Sequence, residues 1–242
     1  MRISRRLFLA MGSGVAAGVC LPGWTDTFAA LAEKDVPAAF DHMILGVSDL
    51  QRGIAFVEER TGVRAKFGGV HPGRGTQNAL LALGERRYLE IMAPDPKQAA
   101  VVQRPELQEM HEPRLVGWAA HTDDIAAIVK RAAAAGFAGV GPTDGSRVRP
   151  DGKTLRWKLF NLKDDRAGLL PFFIEWSRGS VHPAVDAPQG CQLERLAATS
   201  EQPDELAAAC RRMGVELIVE RGEKAQLRAR IAGPSGEIEL TS

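Results

Sequence analysis

The 242-residue chain has little of what marks several common functions. Aromatic residues are 6% of it, with a single tyrosine, too few for a surface that grips nucleic acid by stacking on its bases. Its net charge is +1, so it projects no broad field of either sign, and no nucleic acid and no anionic membrane is an expected partner. Three cysteines exclude a disulfide-built scaffold. The chain has no G-x-S-x-G nucleophile elbow, no phosphate-cradling loop and no dinucleotide fingerprint. Serine hydrolase, nucleotide-binding and Rossmann oxidoreductase chemistry are disfavoured accordingly.

What is present begins with an address. Residues 1–32 carry the pair Arg5-Arg6, an apolar Gly/Ala-rich run from Leu7 to about Leu21, and the small-residue site Ala30-Leu31-Ala32. That order reads as a cleaved export signal, and the paired arginines point to the twin-arginine translocation machinery as a partner. The apolar run is shorter than the ~18–20 residues a membrane-spanning helix needs. The expected location is periplasmic or otherwise exported, with cleavage near Ala32. Cys20 leaves with the signal. Cys191 and Cys210 stay, in a compartment where they are either bridged or free.

Three short strands each set a carboxylate among apolar residues: Glu90 in Arg87–Pro94, Glu175 in Leu170–Trp176 and Glu239 in Ser235–Thr241. A carboxylate in a buried strand costs free energy unless it is paired, hydrogen-bonded or bound to a metal. Each strand closes a block of one order: strand, helix, then three strands. In the first block the strand is Phe40–Val47, the helix runs from Leu50 to Arg60 and ends at Gly62, and a strand at Val63–Phe67 leads into a loop over Gly68–Gly75. The second block has strands at Leu115–Thr122, Ala138–Gly141, Thr154–Leu162 and Pro171–Trp176, with a turn at Asp151-Gly152. The third runs from Gln192 to Leu240. Proline-bearing connectors at 94–113 and 181–190 separate them. The self-similarity predicts a domain over 38–180, made of two units (40–94 and 114–178), and a third unit over 190–242.

A βαβββ unit with histidine in its first strand and glutamate in its last resembles the vicinal oxygen chelate superfamily, which includes glyoxalase I, extradiol dioxygenases and fosfomycin-resistance proteins. The closer resemblance is to its glyoxalase-like domain branch. It is carried by Asp41-His42, by His71-Pro-Gly-Arg-Gly-Thr76 with Asn78, by Tyr88-Leu-Glu90, and by Trp176 with His182-Pro183. The resemblance implies an α+β fold in which two βαβββ units pair to form a cleft. It also implies a divalent metal held by first-strand and last-strand side chains.

Aligning the blocks on Ser48, Thr122 and Ser200 puts His42, Val116 and Glu194 in the first-strand slot, and Glu90, Glu175 and Glu239 in the last-strand slot. The expected metal ligands are His42, Glu90 and Glu175, one short of a four-ligand site. One imidazole and two carboxylates suit Fe, Mn, Ni or Zn, with an open position for substrate. The alternative is that these are hydrogen-bonded carboxylates inherited from a metal-binding ancestor. His71, beside Arg74, is a candidate acid or base, with Glu175 as the other catalytic candidate. Arg74, Asn78, Arg156 and Lys158 are candidates for binding the substrate. His111 and His182 are expected at the surface or in turns. The reading is an exported metal-dependent lyase, isomerase or dioxygenase acting on a small, oxygen-rich, anionic compound. A metal-free protein that sequesters a small-molecule ligand is the alternative. A further reading pairs the third unit with its counterpart in a homodimer.

Overall fold

The computed structural model describes residues 35–98, 104–149 and 151–242. The expected export signal, with Cys20, and part of the first connector lie outside the described residues. The order of strand, helix and three strands occurs three times.

In the first unit β1 (Phe40–Gly46) is buried along its whole length. The Asp49 carboxylate accepts the Arg52 N–H at 2.8 Å and so caps α1 (Leu50–Thr61), satisfying one of the orphan donors of the first turn. Gly62 ends the helix in the left-handed conformation (φ 78°), which glycine adopts without a Cβ penalty. β2 (Lys66–His71), β3 (Thr76–Ala82) and β4 (Tyr88–Pro94) follow as an antiparallel meander, and β4 returns parallel to β1. The second unit repeats this with β5 (Arg114–His121), α2 (Ile125–Ala134), β6 (Gly139–Val148), β7 (Thr154–Leu162) and β8 (Phe172–Trp176). Asp124 caps α2 by accepting the Ala127 N–H at 3.0 Å.

Two strands run further than expected. β2 continues through the glycines to His71, and β6 continues past Gly141 and Pro142 to Val148. Both are edge strands, where a residue without a free N–H, such as Pro142, need not break the ladder.

The first two units form one sheet in the order β2-β3-β4-β1-β5-β8-β7-β6, joined at the antiparallel β1–β5 pair. Outward from that pair the two halves have the same arrangement. The sheet curls until its edges meet. At Gly69 (φ +140°) an added Cβ would stand 3.0 Å from both Arg147 Nη1 and the Val148 carbonyl oxygen, so β2 can approach β6 only with glycine there.

The third unit keeps the element order but not the pairing. β9 (Gln192–Ser200), α3 (Pro203–Arg212), β10 (Ile218–Arg221), β11 (Gln226–Gly233) and β12 (Gly236–Thr241) make a separate sheet in the order β10-β9-β11-β12. Its first strand lies parallel to the strand that follows the helix, not to the last strand. Glu239 therefore sits on edge strand β12 and pairs with Arg228. The slot equivalence expected for Glu239 with Glu90 fails for this topological reason.

One core joins all three units: Leu45, Val57, Trp118, Ile128, Leu193, Leu227 and Leu240 belong to a single buried cluster. The turn between β11 and β12 docks on the end of α1, where the Ser235 N–H donates to the Thr61 carbonyl at 3.1 Å. The apolar face of the third sheet is covered by its own chain. Its other face carries ion pairs such as Arg230–Glu194 at 3.0 Å. Cys191 and Cys210 are buried and free, and burial pushes the Cys210 thiol up to about 11. Among the described residues no helix is long and apolar enough to cross a membrane.

Candidate functional site

The curled sheet encloses a cavity of about 470 Å³, a size suited to a small molecule. Its two halves differ chemically. The first unit lines it with His42 from β1, His71 from the end of β2, Thr76 and Asn78 from β3, and Glu90 from β4. From the second unit, β7 and β8 supply Trp157, Leu159, Phe172, Ile174 and Trp176. The Trp157 and Trp176 rings stand edge to face at 5.6 Å.

Glu90 lies at the centre of the polar wall. Asn78 Nδ2 donates to its Oε1 at 2.6 Å. His71 Nε2 stands 3.6 Å from Oε1 and His42 Nε2 stands 3.7 Å from Oε2. His42 stacks on the Tyr88 ring at 4.5 Å. Its Nδ1 donates to Asp41 Oδ1 at 2.7 Å, so in the neutral ring the Nε2 lone pair faces the cavity. Asp41 is held in turn by the Trp176 indole N–H at 2.9 Å and by His182 Nε2 at 3.3 Å, both on Oδ2. His182 Nδ1 accepts the Ala184 N–H, which leaves Nε2 as the donor toward Asp41. His182 thus sits in a turn, as one of the two expectations had it, but buried as a support of the site and not at the surface.

A family model described as a glyoxalase-like domain matches residues 40–214. The chain belongs to the glyoxalase-like domain family. That places it in the vicinal oxygen chelate superfamily, as the residues at Asp41-His42 and Tyr88–Glu90 suggested. A hypothetical protein from Staphylococcus aureus is similar in structure at 20% identity and a TM-score of 0.59, covering 84% of each chain. Methylmalonyl-CoA epimerase from Mycobacterium tuberculosis matches at 19% identity and a TM-score of 0.41, over 57% of this chain and 86% of its own. A variant of the Streptomyces coelicolor methylmalonyl-CoA epimerase, in complex with 2-nitronate-propionyl-CoA, matches at 17% identity and a TM-score of 0.43, over 58% and 98%. No curated protein matches the sequence.

In this glyoxalase-like chain the expected site residues divide cleanly. His42, Glu90, His71, Asn78 and Arg74 all line the one cavity. Glu175 does not. It follows Ile174 and precedes Trp176, both of which face the cavity, so alternation along β8 turns it away. Its Oε2 accepts the Ile125 N–H at 2.7 Å at the start of α2, and Lys158 Nζ lies 4.0 Å from its Oε1. Arg156 and Lys158 flank Trp157 on the exposed face of β7, and neither reaches the cavity. Val116, on the side of β5 near Gly46, is likewise elsewhere. The physical reason is a register error. His42 pairs with Tyr88, two residues before Glu90, and Ala119 pairs with Phe172, two residues before Ile174. The second-unit counterparts of His42 and Glu90 are therefore Ala119 and Ile174, both apolar, and a slip of one residue exchanges the faces of a strand.

This bears on the metal that the resemblance implies. Among the described residues no three side chains of His, Cys, Asp or Glu converge as a ligand set. The second unit supplies no donor at either corresponding position, and Glu90 Oε1 is already engaged by Asn78. The residues present do not fit the expected ion on His42, Glu90 and Glu175.

The electrostatics suit proton chemistry. Burial alone would raise the Asp41 pKa, but the hydrogen bonds from His182 and His42 more than offset it and hold the carboxyl well below its usual range. Burial lowers His71, Glu90 opposes that, and Arg147 and Arg74 reinforce it, with a net lowering. Glu90 is pushed up by burial and pulled down further by His71 and His42, the Asn78 bond and Arg147, ending below its ordinary value. Because His71 is neutral at pH 7, Asn78 and Arg147 do more than His71 to keep Glu90 ionised there. Burial, with the charges of Asp41 and Glu90, pushes the Tyr88 phenol well up, so Tyr88 stays a neutral wall against His42.

Sequence reasoning missed Asp41, His182 and Arg147 as parts of the site. An Asp-His pair inside an otherwise apolar strand was the available signal for the first. The other two depend on long-range closure.

Proposed function

We propose that the protein is an exported glyoxalase-like enzyme that moves a proton on a small, oxygen-rich, anionic compound, in the lyase or isomerase class. The observation that carries this reading is the line Asp41–His42–Glu90 at the cavity wall. Asp41 fixes the ring, the Nε2 lone pair faces the cavity, and a carboxylate stands 3.7 Å away across the same space. His42 Nε2 would take a proton from the ligand carbon beside a carbonyl, leaving an enolate. Returning the proton to that carbon or to the neighbouring oxygen-bearing carbon gives epimerisation or isomerisation. Loss of a leaving group from the next carbon gives elimination. The proton held on His42 exchanges with solvent before it is returned, and the Glu90 carboxylate 3.7 Å away stabilises the charged ring meanwhile. Ring-opening oxygenation, the other outcome expected from the resemblance, needs a metal-ligand set that His42, Glu90 and Glu175 do not form.

A metal-free sequestering protein is the second reading, favoured by the apolar wall that Trp157, Leu159, Phe172, Ile174 and Trp176 give the cavity. One experiment separates the two. The mature protein is incubated in D2O with a panel of small carbonyl compounds, and deuterium uptake at carbon is followed by NMR. Uptake that falls about 10²–10⁴-fold in His42→Asn supports proton transfer, the range for losing a general base. Ligand-induced thermal stabilisation with no uptake for any compound sinks the enzyme reading in favour of sequestration.

A further inference from the structure

The cavity contains a cation that the proton chemistry does not use. Arg147 stands on β6 at the closure of the curled sheet, opposite Gly69, and lines the same cavity as His42 and Glu90. It is 5% exposed, and its Nη1 has no hydrogen-bond partner. Among the described residues no carboxylate forms an ion pair with it, although the neighbouring Arg149 has both Asp151 and Asp186. A guanidinium carries five N–H donors and cannot shed its proton, so burying one without an anion is costly. The cavity has two other arginines. Arg104 is engaged with the Val116 carbonyl and Glu106. Arg74, half-buried in the turn between β2 and β3, also has no ion-pair partner among the described residues.

We propose that Arg147, assisted by Arg74, is a carboxylate-binding subsite, so that the ligand is a small carboxylic acid bearing a carbonyl. This rests on the reading of the cavity as the ligand site and narrows its substrate class. A planar, forked donor matches a carboxylate by paired hydrogen bonds, and a ligand carboxylate would complete the unpaired Nη1 side of Arg147. The charge pattern of the cavity agrees. Glu90 acts on Arg147 from beyond ion-pair distance, so a bound carboxylate does not have to displace an internal partner. The subsite lies where β6 meets β2 beside the polar wall, which would leave the carbonyl end of the acid for His42 and Glu90 and any apolar substituent for Trp157 and Trp176.

The test compares equilibrium binding of a carboxylate with that of its neutral amide, here 2-oxobutanoate against 2-oxobutanamide, by calorimetry on the mature protein. The carboxylate is expected to bind at least about 10-fold more tightly, the scale of a charge-assisted hydrogen bond. In Arg147→Met that preference is expected to fall about 10-fold, to what Arg74 alone supplies, while amide binding is unchanged, and Arg147→Lys should keep more of it. If Arg147→Met does not fold, Arg74→Gln at the half-exposed turn should reduce the preference about 3–10-fold on the same scale. Equal binding of the two probes to the unmodified protein would overturn the subsite. So would a preference undiminished in Arg147→Met, or no binding of the acid below about 10 mM. Deuterium uptake is a separate readout: its absence with the carboxylate preference intact would remove the proton-transfer reading and leave the subsite standing.

Discussion

Asp41 and His42 are consecutive residues of one strand, yet their side chains meet, with Nδ1 donating to Oδ1 at 2.7 Å. Adjacent strand residues ordinarily face opposite sides of a sheet. Here the β1–β5 ladder is irregular between Phe40 and His42, which pair with the neighbouring residues Ala120 and Ala119. The extra residue, Asp41, is released from alternation in the manner of a bulge. Phe40 can then turn to the core with Trp118, while Asp41 turns under the His42 ring. Asp41→Asn would keep the shape but could leave the ring in the other tautomer. It is expected to lower the deuterium-uptake rate about 10²-fold or more and to change its pH profile. An unaltered profile would remove Asp41 as the positioning residue.

Glu90 and Glu175 differ in role although both sit in the last strand of a unit. Glu90→Gln should abolish uptake, because it removes the carboxylate beside His42 Nε2. Glu175→Gln should leave ligand binding unaltered and cost about 0.3–1 kcal/mol of stability, the contribution of a negative charge at a helix N-terminus. Denaturant unfolding and calorimetric binding on the two variants check this. A binding defect in Glu175→Gln would put that residue back in the cavity.

The contrast between these glutamates shows where sequence reading succeeds and where it stops. Helix α1 was readable from Leu50 to its stop at Gly62, and β1 as a mostly apolar strand over Phe40–Val47; those signals are local. The repeat exposed the paired halves of the large sheet. The faces of β8 were not readable, because strand periodicity is two and an alignment error of one residue exchanges Ile174 for Glu175. Arg147 was hidden for another reason: its place in the cavity follows from the curl that brings β6 to β2, and no local pattern encodes that closure. His182 joins Asp41 from across the fold by the same kind of long-range contact.

Acid should destabilise the protein in two stages. His71 has a native pKa below its ordinary 6.5. As pH falls through 6.5 the unfolded chain therefore takes up a proton that the folded chain refuses, and stability declines until the lower native value is passed. Glu90 and Asp41 are also lowered, from 4.5 and 3.8. Their contribution is full above those values and is lost as pH falls below them toward the native ones. All three act with the same sign. Urea midpoints measured from pH 8 down to pH 3 should fall first below about 6.5 and more steeply below about 4.5. In His71→Gln the first decline should shrink while the second persists, and a first decline of unchanged size would refute its assignment to His71.

The third unit should unfold with the other two. Ile238 on β12 is buried in the same cluster as Leu45 and Val57, and the β11–β12 turn is hydrogen-bonded to the end of α1 through Ser235 and Thr61. Cutting the side chain at position 238 removes contacts shared with the large sheet and its helices. Ile238→Ala is expected to cost about 2–5 kcal/mol, the range for a large-to-small change in a packed core. The loss should lower one calorimetric transition as a whole. Two separate transitions in the unmodified protein, or an Ile238→Ala variant that lowers only one of two, would mean that the third sheet folds independently and that the shared core does not couple it to the cavity.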